Sequence, residues 1–86
     1  EEDRKRIQPR GRTAGSALRV HDALKQRPIA AMQEIARRAA LSFPAASSGM
    51  KLLADLRIAR ELTGRKRNRV FVYDAYLKIL NEGTEP

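Results

Sequence analysis

Apolar residues recur at helical spacing in several stretches of the chain and alternate in two others. Over residues 14–26, Ala17, Val20, His21 and Leu24 stand at i, i+3, i+4 and i+7, with Leu18 beside them. That spacing predicts a helix with one apolar stripe. Arg27 precedes Pro28, and a residue before proline avoids the α region, so the helix ends there. A second helix is predicted over 31–39, with Met32, Ile35, Ala36 and Ala39 on one side and Gln33, Glu34, Arg37 and Arg38 on the other. Ala40-Leu41-Ser42 follows as a tight turn. Ser42 is a good N-cap, and Pro44 falls in a first turn, where its missing N–H costs nothing. A third helix runs to about Leu56, with Ala46, Met50, Leu53 and Leu56 inward.

Beyond Leu56 the period changes. Ile58 to Leu62 alternates as a strand does, Thr63 to Asn68 is a cation-rich turn, and Arg69 to Tyr73 is a β-branched and aromatic strand. Asp74 can cap a last helix, in which Tyr73, Tyr76, Leu77 and Leu80 repeat at i, i+3, i+4 and i+7, and which ends at 81–83. Two helices joined by a short turn and followed by a hairpin describe a winged helix-turn-helix. The expected class is therefore mainly α with a small β-hairpin: three helices, a two-stranded wing and a C-terminal helix. The domain spans 14–82. Residues 1–13, interrupted by Pro9 and Gly11, read as a linker or the end of an upstream helix, and 83–86 as a flexible tail.

Composition narrows the function. The chain has 86 residues, enough for one small domain, with 42% apolar residues and a net charge of +8. Cysteine is absent and His21 is the only histidine, which excludes a disulfide framework, a thiolate nucleophile and a multi-histidine metal site. No apolar run approaches the roughly 20 residues that span a bilayer. With no signal-peptide pattern and Glu1 in place of Met, the chain reads as a cytoplasmic fragment of something larger. No cofactor and no small-molecule substrate is implied. Asp22, Glu34 and Asp74 lie on separate elements, so no acid/base dyad forms, and His21 on an apolar face reads as a packed, hydrogen-bonded core residue. Tyr73 and Tyr76, at helical spacing with Leu77 and Leu80, read as core rather than as base-stacking platforms.

The excess charge favours a polyanion partner and is unevenly placed. Five cations and no acids lie between Arg4 and Arg12. Six cations against Glu61 alone lie between Arg57 and Arg69, whereas residues 74–86 hold one cation and three acids. The candidate nucleic-acid contacts are the wing, Arg65, Lys66, Arg67, Asn68 and Arg69, together with Ser47, Ser48 and Lys51 on the third helix. Five neutralised phosphates would give a salt slope near −4 to −5. The outward positions of the third helix are Ala45, Ser47, Ser48, Lys51 and Asp55, and they lack the Arg, Asn or Gln that make bidentate base contacts. Binding to DNA would accordingly be weak or of limited sequence specificity. The same helix offers an alternative, because Ala45, Ser47, Ser48 and Gly49 form a small-residue face suited to close packing against protein.

From Arg27 to Pro86 the chain resembles the C-terminal winged-helix module of bacterial Fic proteins, in the words RPIAAMQEIARRAALSFP, ELTGRKRNRVFVYDAYL and ILNEGTEP. Fic proteins transfer AMP from ATP to protein hydroxyls by a histidine and a glycine-rich phosphate loop, HxFxxGNGR. That signature is absent, since Asp-Ala-Leu follows His21, so this chain is expected to have no transferase activity of its own. The resemblance implies an accessory, regulatory module whose partners are DNA, the upstream Fic catalytic domain of a parent chain, or a second copy in a homodimer. Three positions depart from the family pattern. Ala40 and Arg57 stand where glycine is usual, and Ala31 where serine often caps the second helix. A positive φ at Ala40 or Arg57 would cost about 1 kcal/mol each, and a lost cap roughly 0.5–2 kcal/mol.

Overall fold

A Cβ at Gly49 would stand 2.9 Å from the Ala17 amide nitrogen and from the Ser16 carbonyl carbon. This close approach of α4 (Phe43–Asp55) to α2 (Arg12–Gln26) sets the centre of the fold. In the computed structural model, which describes residues 2–64 and 66–84, the elements run α1 (Glu2–Ile7), α2, β1 (Ile29–Ala31), α3 (Met32–Ala39), α4, β2 (Ala59–Glu61), β3 (Val70–Tyr73) and α5 (Asp74–Thr84). The molecule is a winged helix-turn-helix, with α2, α3 and α4 packed on one another and a small antiparallel sheet against them. Val20, Leu24, Ile35, Met50, Leu53 and Val72 are fully buried at its centre.

The turns behave as their residues dictate. Ser42 caps α4, its hydroxyl accepting from the Ala45 amide at 3.2 Å, and Pro44 lies in the first turn. Both α3 and α4 end on a left-handed residue, Ala40 (φ 56°) and Arg57 (φ 62°). Each reversal is closed by hydrogen bonds back into the helix, Leu41 N–H to the Ala36 carbonyl and Ile58 N–H to the Leu53 carbonyl. A non-glycine residue in this region carries about 1–2 kcal/mol of strain, so both turns hold the strain expected of them. Ala31 supplies no side-chain cap to α3. The Met32 amide at the start of α3 is satisfied from elsewhere, donating to the Arg69 carbonyl at 2.9 Å. Part of the missing cap is thus replaced by the approach to β3.

The wing differs from a two-stranded hairpin. The sheet has three strands in the order β1-β3-β2, with Ala30 opposite Phe71 in one pair and Arg60 opposite Val72 in the other. The added strand is only three residues long, too short to show a period of two, and it is recruited because Pro28 holds the chain extended beside β3. The Pro28 carbonyl accepts from the Tyr73 amide at 2.8 Å. Asp74 is the first residue of α5 rather than its side-chain cap. Its amide donates to the Ile58 carbonyl, and its carboxylate meets Arg60 at 3.0 Å and Lys78 at 3.6 Å. The helix continues one residue past Gly83 to Thr84.

The segment before Gly11, read as a linker or the end of another helix, forms α1, and Ile7 is fully buried in the core. His21 is likewise fully buried, but neither ring nitrogen makes a hydrogen bond. Its Nε2 lies 3.4 Å from Asp3 Oδ2, and its ring meets that of Tyr73 edge-on at 5.5 Å. The expected hydrogen-bonded histidine is therefore packed without such a bond, because its position on α2 points it into the core between α1 and β3. Gly49 also changes role. It faces inward against α2, so it does not belong to an outward small-residue face of α4. Among the described residues no helix is long and apolar enough to cross a membrane.

Candidate nucleic-acid interface

Helix α4 exposes Ser48 and Lys51 and leaves Ser47 half-buried, and the wing exposes Lys66, Arg67, Asn68 and Arg69. The tertiary fold brings the two sets together. A groove of about 280 Å³ lies between the start of α4, the start of α3 and the wing, with Met32, Phe43 and Ser47 facing Lys66, Arg67 and Arg69. A second groove, of about 480 Å³, continues along α4. Ser47, Ser48, Lys51 and Ala54 form one wall, and Arg69 and Phe71 the other. Ser47 belongs to both. Arg65 lies outside the described residues.

The cations of the site are not equivalent. Arg69 is held at the root of the wing, where it pairs with Glu61 at 2.9 Å and lies 5.1 Å from the centroid of the Phe71 ring. That contact and the backbone bond from its carbonyl to Met32 make it a structural strut as much as a ligand contact. Asn68 occupies the left-handed position of the wing turn (φ 53°), a conformation asparagine tolerates better than most residues. Lys51, Lys66 and Arg67 have no ion-pair partner among the described residues. Their charge is available to an incoming anion.

Two features of the site lie outside the wing and third-helix contacts expected from sequence, although Arg10 in the second belongs to the basic run between Arg4 and Arg12. Phe43, at the first turn of α4, is 51% exposed at the mouth of the first groove. A large apolar residue directly after an N-cap is the signal that marks it, because the helix entry turns that position away from the core. At the other end of α4, Arg10 and Thr13 come beside Ser48, Lys51 and Asp55 in a shallow depression of about 300 Å³. Nothing local in the sequence relates residue 10 to residue 51. No protein-family model, curated protein or solved structure matches the chain.

Proposed function

We propose that this chain is a non-catalytic winged-helix module that binds nucleic acid through the α4–wing groove, with limited sequence specificity. The observation that carries the reading is the placement of three unpaired cations in two adjoining grooves that share Met32, Ser47 and Arg69: Lys66 and Arg67 line the first and Lys51 the second. A duplex lying along them releases counterions to each phosphate contact. The hydroxyls of Ser47 and Ser48 position the backbone rather than read base edges in detail. The likeness of residues 27–86 to Fic accessory modules supports a regulatory place beside an AMP-transferase domain in a cytoplasmic parent chain. The test is a fluorescence-anisotropy titration on a random-sequence duplex across a salt series. Three or four phosphate contacts, from Lys51, Lys66, Arg67 and Arg65, give a slope of about −3 to −4 in log affinity against log salt. Absence of binding at ~10 µM protein in low salt overturns the reading, since non-specific affinities of this kind reach the micromolar range.

A second reading is favoured by one observation. Ile79 (66%) and Leu80 (43%) stand exposed on α5, line neither groove and lie outside the core. An apolar pair of this kind suits docking on an upstream catalytic domain or on a second copy. Sedimentation of a full-length parent with and without residues 27–86 tests it, with unchanged association and transferase rate counting against it.

A further inference from the structure

The turn joining α4 to β2 carries an arginine in a conformation that favours glycine. Arg57 has φ 62°, its side chain is exposed, and among the described residues its guanidinium has neither a hydrogen-bond nor an ion-pair partner. Strain of this sort persists where the side chain has a use, and such outliers gather at ligand sites. The surroundings of Arg57 say what the use is.

An open cavity of about 600 Å³ lies beside this turn, lined by Arg6 of α1, Leu56, Arg57, Arg60 of β2, and Asp74 and Lys78 of α5. Four cations meet one carboxylate in the cavity, and a second, Asp3, lies beside Arg6 and Arg57 in the adjoining depression. The Asp74 carboxylate is occupied at both oxygens, by Arg60 on Oδ1 and Lys78 on Oδ2, so it organises two of the cations. Arg6 donates to the Leu56 carbonyl at the end of α4 and lies 3.8 Å from Asp3. The negative end of α4 is thereby already capped, and Arg57 is not required for that purpose. The cavity also adjoins the α4–wing groove, because Ala54 forms a wall of both.

We propose that Arg57, with Arg6, Arg60 and Lys78, forms a second anion site that takes a phosphate group carrying two or more negative charges. Guanidinium groups present planar pairs of N–H donors that suit phosphate oxygens, and each charge-assisted contact is stronger than a neutral one. The site is distinct from Lys51 and the wing and does not depend on the groove reading. The phosphate comes either from a small phosphorylated compound or from a polynucleotide that extends past Ala54.

Calorimetric titration of the 86-residue chain with inorganic pyrophosphate at low salt tests the site. The expected result is saturable binding that weakens about tenfold or more in Arg57→Gly, while the melting temperature of that variant rises by about 4 °C as the turn strain is relieved. A gain in stability with a loss of binding separates the site from any effect of misfolding. Ala40→Gly relieves the same strain at the other turn and keeps pyrophosphate binding. Absence of binding to the unaltered chain, or undiminished binding by Arg57→Gly, overturns the proposal. Duplex binding identifies the source of the phosphate. A parallel loss of duplex affinity in Arg57→Gly assigns the site to a polynucleotide backbone, and unchanged duplex affinity assigns it to a small phosphorylated compound. A Lys66→Glu, Arg67→Glu double variant that loses duplex and keeps pyrophosphate shows the two sites to be independent.

Discussion

The Tyr73 hydroxyl donates a hydrogen bond to Asp3 Oδ2 at 2.8 Å, joining positions 70 residues apart. The same carboxylate oxygen faces the buried His21 ring at 3.4 Å. Arg4 reaches Asp22 of α2 at 3.7 Å, and Ile7 inserts into the core behind it. Helix α1 is thus fastened at its start by a polar contact and at its end by an apolar one. Asp3→Ala is expected to lower stability by about 1–3 kcal/mol, since it removes a charge-assisted hydrogen bond from a partly buried hydroxyl. Ile7→Ala is expected to cost about 2–5 kcal/mol. Urea denaturation curves measure both, and a midpoint unmoved by either change would show that α1 adds nothing to the fold.

Ala40→Gly is expected to stabilise the domain by about 1 kcal/mol, because glycine adopts the left-handed C-terminal turn of α3 without a clash at Cβ. Thermal melting reads this as a rise of several degrees. An unchanged melting temperature would mean that the turn carries no strain.

Gly49→Ala is expected to act in the opposite direction. Helix propensity favours alanine by about 1 kcal/mol. The added Cβ, however, meets backbone atoms of α2 at 2.9 Å, and backbone cannot swing aside as the end of a side chain can. Overpacking of this kind costs roughly 1–3 kcal/mol, so the net effect is destabilising. A variant as stable as the original would show that α2 and α4 can move apart freely.

Acid weakens one surface cluster in a predictable direction. The Arg38 side chain hydrogen-bonds Glu34 at 2.6 Å, and the charges of Arg37, Arg38 and Arg27 add to it, holding the Glu34 carboxyl below the usual carboxylate range against the opposing effect of desolvation. A lowered folded-state value means that the unfolded chain takes up this proton first. The stability from Glu34 is therefore fully present above the unfolded value of about 4.3 and is lost as pH falls through the lower folded value. Denaturation midpoints measured between neutral pH and about pH 3 are expected to fall less steeply for Glu34→Gln than for the original chain. Parallel curves would remove Glu34 from the acid response.

Lys51→Ala is expected to reduce the salt slope of duplex binding by about 1, uniformly across sequences, with no change in melting temperature. Arg69→Ala is expected to differ, losing stability as well as affinity because its contacts to Glu61 and Phe71 brace the wing. An identical response of the two variants would count against the division between ligand contacts and struts.

What the sequence alone determined is local. The apolar period marked α2, α3 and α4, the Ser42 cap and Pro44 marked the start of α4, and the run from Arg65 to Arg69 marked the basic wing. Each of these rests on neighbours within a few positions, where the chain geometry already decides which side chains share a face. Only the tertiary structure decided the rest. The third strand forms because Ala30 finds Phe71 forty-one residues later in the register of β1 and β3, and three residues are too few to announce a strand. Gly49 turned inward because α2 crosses α4 there, and Arg6 met Arg57 and Arg60 because α1 folds back beneath the end of α4. Long-range contacts of this kind have no sequence period, since their partners are chosen by the packing of whole elements rather than by spacing along the chain.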